Sequence, residues 1–510
     1  MTPRRPNGSD PSLPDRHRLD RRRLLTGSAA LLLAGCSSRS SPGTAAPITT
    51  AGAAPGATAT SGATAAIPPT TGPPMSATSL PAPTTTAPVV VPDILGRPTA
   101  TSVTVNVVPK TAGELRYELA RRGGPWAWST APVTARAGEP LEVVLDGLEP
   151  GAEYVARLRM GDGAGPELPV VTQRPRGRSF TFAVQGDSHP ERVKTQFDAR
   201  LYETTLRSAA TARPDFYVAI GDDFSVDTLK VVNRDTVEAG YVAQRRWLPL
   251  VGAPVFLVNG NHEQASLANL DGTPDNVAVW AQTARNRWYP QPGPDAFYGG
   301  NPEQVPHIGL LRDYYSFEWG DALFVVIDPY WHSPETVDNA FGATRDQKKG
   351  RDLWNVTLGE TQYRWFEQTL RTSTATHRFV FTHHVLGTGR GGIELARGYE
   401  WGDATSFATK RPGWGLPIHQ LMVKHGVTVF FQGHDHIFVH QELDGVVYQT
   451  LPEPANPNAT YENDDAYLSG VKHPNSGHVR VDVDPAAVTV TYVRSFLDRP
   501  DERTYSYRAG

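Results

Sequence analysis

From Ser179 onward, short runs of large apolar residues alternate with amphipathic stretches, a pattern that predicts an α/β or α+β layered domain over residues 178–510. Ser179 to Gln185, Phe216 to Ile220 and Val255 to Val258 read as strands, separated by helices over Val193 to Ala212 and near Tyr241 to Leu248. Tyr315 to Trp319 and Ala322 to Ile327 continue the strand pattern, and Glu360 to Leu370 has the spacing of a helix with one packed face. Strands at His377 to Thr382 and Val427 to Gln432 follow, and the end is β-rich, with Val446 to Thr450, His478 to Val483 and Val488 to Val493. Gln264 to Val305 and Gly387 to Pro412 are read as long loops able to surround a site and choose its substrate.

Ahead of this domain the period changes. Residues 89–177 carry short alternating runs, Ser102 to Val108, Glu114 to Ala120, Leu141 to Leu145, Tyr154 to Met160 and Leu168 to Thr172, divided by turn residues at the spacing of a small all-β sandwich. No His or carboxylate cluster falls there, so the expected role is spacer or scaffold. Residues 37–88 are dominated by Ala, Thr, Pro, Gly and Ser; with so little to bury they read as a disordered stalk, whose Thr and Pro content would permit O-glycosylation. In residues 1–36, Arg21-Arg22-Arg23 precedes a short apolar run that ends in Leu33-Ala34-Gly35-Cys36. That run is too short to span a bilayer and its basic flank reads as an export signal.

Composition narrows the chemistry. The chain has 510 residues, 39% hydrophobic and 20% charged, with a formal net charge of -4, which gives no electrostatic case for nucleic acid as the main partner. A single Cys rules out an intramolecular disulfide and a Cys-rich metal site, so a transition metal would depend mainly on His, Asp, Glu, Asn or Tyr.

Five strands run directly into such residues. Ser179 to Gln185 leads to Gly186-Asp187-Ser188-His189, Phe216 to Ile220 to Gly221-Asp222-Asp223, and Val255 to Val258 to Asn259-Gly260-Asn261-His262-Glu263. His377 to Thr382 leads to His383-His384, and Val427 to Gln432 to Gly433-His434-Asp435-His436. Ligands of α/β sheets bind beyond the carboxyl ends of strands, so the five corners are expected on one edge. Singly, Asp187 or Asp222 could cap a helix, His383 could be a core histidine, and His434 to His436 a polar turn. Together those readings leave the repeated order of strand, corner and ligand unexplained, and seven of the 15 histidines lie at or near strand ends.

The ordered set Asp-x-His, Gly-Asp, Gly-Asn-His-Glu, His and Gly-His-x-His resembles the metallophosphoesterase (calcineurin-like) family. The resemblance implies a dinuclear centre of iron, zinc or manganese ions, with Asp187, His189 and His436 on one ion, Asn261, His383 and His434 on the other, and Asp222 bridging. It implies hydrolysis of small-molecule phosphate esters by a metal-bridging hydroxide, phosphomonoesters first and phosphodiesters as the alternative. Two such ions roughly 3.5–4 Å apart polarise a phosphoryl oxygen and lower the pKa of water between them. His262 becomes the catalytic residue, as proton donor to the leaving group or phosphate contact, with Glu263 either orienting it or facing away. His384, His332 and Arg390 are candidate substrate contacts, with solvated surface as the competing reading of Arg390 and a structural loop that of His332.

The sandwich resembles a fibronectin type III domain, chiefly in Leu148 to Tyr154, and the pair of domains is similar to purple acid phosphatases. Those enzymes carry a Tyr ligand three residues after the bridging Asp; here the position is Ser225, with His189 as the replacement, so no tyrosinate-to-iron colour is expected. The twin arginines resemble a Tat signal and Leu-Ala-Gly-Cys resembles a bacterial lipobox, implying a lipoprotein lipidated at Cys36 and anchored at the cell-surface or periplasmic face of the membrane. A surface-anchored binding lipoprotein with a degenerate metal domain is the rival reading, and oligomeric state is left open.

Overall fold

The computed structural model describes residues 88–335, 352–384, 390–397, 400 and 403–510. Cys36 and the segments read above as an export signal and a stalk, up to residue 87, lie outside the described residues, as do parts of the Gly387 to Pro412 segment. No described helix is long and apolar enough to cross a membrane.

The expected α/β domain is present, but its strands form two facing sheets. The first runs Val255–Leu257, Phe216–Ala219, Phe180–Gln185, Gly477–Asp484, Ala487–Arg494, Glu502–Ala509; its first three strands are parallel and the remainder antiparallel. The second contains Tyr315–Trp319, Ala322–Val326, His377–Phe381, Val429–Gln432, Val446–Thr450 and Phe438–Leu443 in that spatial order, with the run from Ala322–Val326 to Val446–Thr450 parallel.

The period-2 pattern explains the layering. Phe180, Phe182, Phe216, Phe256, Phe317, Phe324, Phe379, Phe381 and Phe431 point inward from both sheets into one core. Phe182 and Phe324 meet edge to face at 5.1 Å, and Phe381 stacks on Phe431 at 5.0 Å. The alternate residues face outward: Ala183, Tyr217, Val255 and Leu257 pack under helices Ala199–Thr211, Arg234–Gln244 and Val277–Trp288, and Val325, Val380 and Phe430 under helix Gly359–Thr372 and its neighbours. Both faces of each sheet are therefore covered in this part of the fold, which is why these strands read as nearly continuous apolar runs.

Three expectations change. The helix expected from Val193 starts at Ala199, because the carboxylate of Asp198 caps it by accepting from the Arg200 and Leu201 N–H groups; residues 189–197 are turns. The helix expected near Tyr241 to Leu248 is Arg234–Gln244 followed by a 3-10 turn at Leu248–Val251, since Asn233 supplies a capping box further upstream. The Gln264 to Val305 loop contains helix Val277–Trp288, capped by Asn276, whose largely buried Val and Ala residues had no clean apolar stripe to betray it.

Residues 94–171 form two antiparallel sheets around a core of Val103, Val105, Tyr117, Leu119, Val143, Leu145, Tyr154 and Leu158. Strands Ile94–Gly96, Trp126–Ser129 and Val133–Ala135 add to the five read from the sequence. The Tyr154 hydroxyl accepts the Glu149 N–H at 2.9 Å. This layer is fastened to the α/β domain by buried Arg245, which donates to the carbonyls of Pro92 and Asn106 at 2.8 Å, and by Arg174, which grips Asp215 at 2.8 and 2.9 Å.

Candidate metal centre

The corners come from both sheets and not from one edge of a single sheet. Three follow parallel strands of the first sheet and two follow parallel strands of the second, and the sheets face one another, so all five carboxyl ends open at the same end of the sandwich. Close approach at that end explains the motif glycines. A Cβ on Gly186 would lie 2.6 Å from the Pro452 carbonyl, on Gly221 2.7 Å from Gly260 N, and on Gly433 2.9 Å from Ile220 Cγ2; on Gly260 it would overlap Asp222 and lie 2.6 Å from Glu263 Oε2. Four residues at the corners, His189, Asp222, His434 and His436, have φ between 42° and 68°, a backbone region that costs a non-glycine residue of order 1–3 kcal/mol and clusters at functional sites.

All seven residues expected as ligands meet there, and each is buried. Asp187, His189 and His436 offer atoms within 4.8 Å of one another, as do Asp187, Asp222 and His383. His436 Nε2 is 3.1 Å from Asp187 Oδ2 and 3.2 Å from His189 Nε2. On the other side His383 Nε2 is 3.0 Å from Asp222 Oδ2 and 3.1 Å from Asn261 Oδ1, while His383 and His434 are T-shaped neighbours at 5.4 Å. Asp222 Oδ2 is the common point: buried, it takes no well-aligned hydrogen bond although imidazole nitrogens of His383, His189 and His262 stand at 3.0, 3.7 and 3.8 Å. A buried carboxylate oxygen facing imidazole nitrogens with no donor aligned on it suits a cation, and a mixed N/O donor set suits iron, zinc or manganese. Burial opposes the charge of Asp187 and Asp222, but the attraction of His383 and its neighbours holds both carboxyls well below the usual range.

Behind these residues stands a layer that the sequence reading missed. His189 Nδ1 lies 3.0 Å from Glu191 Oε1 and 3.2 Å from Ser225 Oγ; His436 Nδ1 lies 3.2 Å from Glu462 and 3.5 Å from Glu453; His383 Nδ1 lies 3.0 Å from the Ile220 carbonyl. Such partners fix each ring and leave its Nε2 facing the cluster, where it could bind a metal. Burial pushes the Glu453 carboxyl up to about 8, against the pull of His436. Glu453 follows Leu451 and Pro452 off the end of Val446–Thr450, a sixth strand running into a carboxylate and a legible signal.

Glu263 faces away from His262. Its Oε1 accepts the N–H groups of Asp223 and Phe224 at 2.9 and 3.0 Å, and its Oε2 those of Asp222 and Gly260 at 3.1 and 2.7 Å. It ties the Asp222 corner to the Asn261 corner. Asp227 orients His262 instead, with Oδ1 2.7 Å from Nδ1, and the His262 N–H donates to Asp222 Oδ1 at 2.9 Å. Burial would lower the His262 pKa, but the Asp222 and Asp227 carboxylates outweigh it and hold the ring up at about 9. Arg192 NH2 lies 3.3 Å from His262 Nε2.

The candidate substrate contacts separate. His384 is buried inside the cluster, its Nδ1 on the Tyr330 hydroxyl, its ring 3.5 Å from that of His434, and its Nε2 without a hydrogen bond among the described residues. Arg390 commits NH1 to the His434 carbonyl at 2.9 Å and Asp435 at 3.0 Å, steadying the turn between two candidate ligands. His332 Nε2 pairs with Glu303 at 3.1 Å and its ring neighbours Tyr314, outside the cluster.

Comparison with known proteins bears on the family and the fold. Residues 180–438 match the family described as calcineurin-like phosphoesterase. The solved structure of PhoD is 15% identical and superposes over 84% of this chain and 91% of its own with a TM-score of 0.59. The purple acid phosphatase PPD1 from yellow lupin (Lupinus luteus) seeds is also 15% identical, covering 82% of this chain and 73% of its own with a TM-score of 0.54. At that identity the likeness is one of fold. No curated protein sequence matches the chain.

Proposed function

The chain belongs to the calcineurin-like phosphoesterase family and is a metal-dependent phosphoester hydrolase, and from that premise we propose that it hydrolyses phosphomonoesters at a two-metal centre. Asp187, His189 and His436 would hold one ion and Asn261, His383 and His434 the other, with Asp222 shared between the two sets. The observation that carries this reading is the convergence of these side chains through Asp187 and His383, with the buried Asp222 Oδ2 3.0 Å from His383 Nε2. When bound, the two ions supply an activated water and draw charge from a phosphoryl oxygen. The protein does the rest. Glu263 fixes the two central corners, Glu191, Glu453 and Glu462 orient the histidines of the first ion, and the Asp227–His262 pair holds a proton for the leaving oxygen. Tyr330 steadies His384 beside the second ion.

The deciding experiment measures bound metal and turnover of a paired monoester and diester for the wild type, Asp222→Ala and Asn261→Ala. Loss of metal and of turnover in both variants is expected, with the monoester the better wild-type substrate. Undiminished turnover in both would refute the dinuclear reading, and full occupancy with no wild-type activity would favour a binding protein.

We also propose that the protein is exported, lipidated at Cys36 and held at the outer or periplasmic face of a bacterial membrane by that anchor alone. The support is the order of the Arg21 to Arg23 cluster, the apolar run and Leu33-Ala34-Gly35-Cys36. The mature N-terminal peptide should have the mass of a lipid-modified Cys36, and an unprocessed N-terminus would refute this. The layer at residues 94–171 is read as fibronectin type III-like, supported by the Tyr154-to-Glu149 corner.

A further inference from the structure

Arg192 is absent from every motif that brought the metal centre to notice, yet its side chain reaches that centre. Residues 189–197 fold into turns closed on Arg192 itself: its N–H donates to the His189 carbonyl at 3.0 Å, and its own carbonyl accepts the N–H groups of Thr195, Gln196 and Phe197, each at 3.0 Å. The backbone of Arg192 is therefore fixed relative to His189.

The guanidinium is also aimed. Nε lies 3.4 Å from Glu191 Oε1, the same oxygen that touches His189 Nδ1, NH1 donates to Gln196 Oε1 at 2.6 Å, and NH2 lies 3.3 Å from His262 Nε2. His262 Nε2 is in turn 3.8 Å from Asp222 Oδ2, the point where the candidate ligands converge. NH1 spends one N–H on Gln196 and Nε faces Glu191, while NH2, beside a charged His262 ring, keeps N–H donors of the planar guanidinium fork for an anion. The side chain remains 23% exposed, so it is fixed from behind and reachable from the front. Arg390, on the other flank, spends NH1 on the His434 carbonyl and Asp435.

Building on the phosphomonoesterase reading, we infer that Arg192 binds the substrate's phosphoryl group and gives the site its preference for monoester over diester ends. A guanidinium fork matches two phosphate oxygens, and charge-assisted pairs of this kind are the stronger hydrogen bonds. Its NH2 exchanges the His262 ring for a terminal phosphoryl oxygen, which leaves His262 Nε2 facing the leaving oxygen. A monoester carries one more terminal oxygen and one more negative charge than a diester, and Arg192 reads that difference.

The test uses the full, metal-loaded protein as wild type, Arg192→Met and Arg192→Lys, with p-nitrophenyl phosphate, bis(p-nitrophenyl) phosphate, metal content, and equilibrium dialysis of inorganic phosphate. In Arg192→Met, KM for the monoester and the phosphate dissociation constant should each rise about 10- to 100-fold, the range of one hydrogen bond to a charged group. Diester turnover should change by less than about 3-fold, metal content should hold, and Arg192→Lys should recover part of the phosphate binding. Equal losses on both esters with reduced metal content would mean that Arg192 only supports His189 and would overturn the inference, as would unchanged phosphate binding. If wild-type protein binds phosphate through Arg192 but turns over no monoester, the reaction assignment fails and the phosphoryl site stands.

Discussion

Glu263→Gln isolates the part of the centre that depends on positioning alone. The carboxylate touches no candidate substrate group; it receives four backbone N–H groups, two on each oxygen, from Asp222, Asp223, Phe224 and Gly260. Glutamine has nearly the same shape but replaces one oxygen by an amide nitrogen. Whichever way the amide is turned, two of those N–H groups then face a donor inside a fully buried pocket. A buried donor left unmatched costs about 1–3 kcal/mol, so the variant should lose about 2–6 kcal/mol. Against a typical total of about 5–15 kcal/mol that is a large share, so the variant is compared with the wild type in its metal-loaded form first.

The loss should concentrate where the four donors lie, on the loops presenting Asp222 and Asn261, so metal affinity should fall about 10- to 100-fold, as it does when groups behind a metal ligand are removed. Urea denaturation of metal-loaded and chelated protein gives the first quantity, and competitive metal titration the second. A wild-type denaturation midpoint together with wild-type metal affinity would refute the clamp. A stability loss with intact metal affinity would mean that Glu263 supports the fold without positioning the ligands.

Asp227→Asn should lower kcat about 10- to 100-fold with little change in KM or metal content, because it loosens the orientation of His262 and removes one of the two carboxylates that keep its ring charged; an unchanged kcat would remove Asp227 from the chemistry. The iron-loaded protein should show no strong tyrosinate absorption band in the visible, since Ser225 stands beside His189 where a Tyr ligand would be required, and such a band would place a tyrosine, with Tyr330 the first suspect, on the metal. His478, buried in the first sheet, has its pKa lowered to about 3 by burial and then by Arg480, so the unfolded chain takes up its proton first. Stability from this residue is complete above about pH 6.5 and is lost as pH falls toward 3, by at most about 4–5 kcal/mol; His478→Leu should flatten that limb of a pH-stability curve, and an unchanged limb would refute the assignment.

What the sequence made legible was whatever is fixed within a few residues of a strand end. A strand covered on both faces reads as a short apolar run with a stop, and Gly186, Gly221, Gly260 and Gly433 mark points where backbones or side chains press too closely for a Cβ. Those local signals brought the five corners to notice, and the resemblance to a known family then singled out the seven candidate ligands within them. The same locality misplaced the starts of two helices, where Asp198 and Asn233 supply caps outside the apolar stripe. It also hid helix Val277–Trp288, which is buried round much of its circumference and so lacks a clear polar face.

The groups behind the ligands follow a different logic. Glu462 reaches His436 across 26 residues of chain, Asp227 reaches His262 across 35, and Arg192 reaches the same ring across 70. Nothing in the local sequence of such residues needs to differ from that of a solvated charge, because their partners are set by how the two sheets face each other. The two-sheet arrangement was itself invisible to strand-by-strand reading: parallel strands in one sheet or in two give the same apolar runs. The division has a chemical consequence. The Asp187, Asp222 and Asn261 corners belong to the first sheet and the His383, His434 and His436 corners to the second, so each proposed ion joins the two sheets across the Phe182–Phe324 core. Metal binding on this reading is coupled to the packing of the sandwich, and mutations deep in that core should weaken metal affinity without touching a ligand.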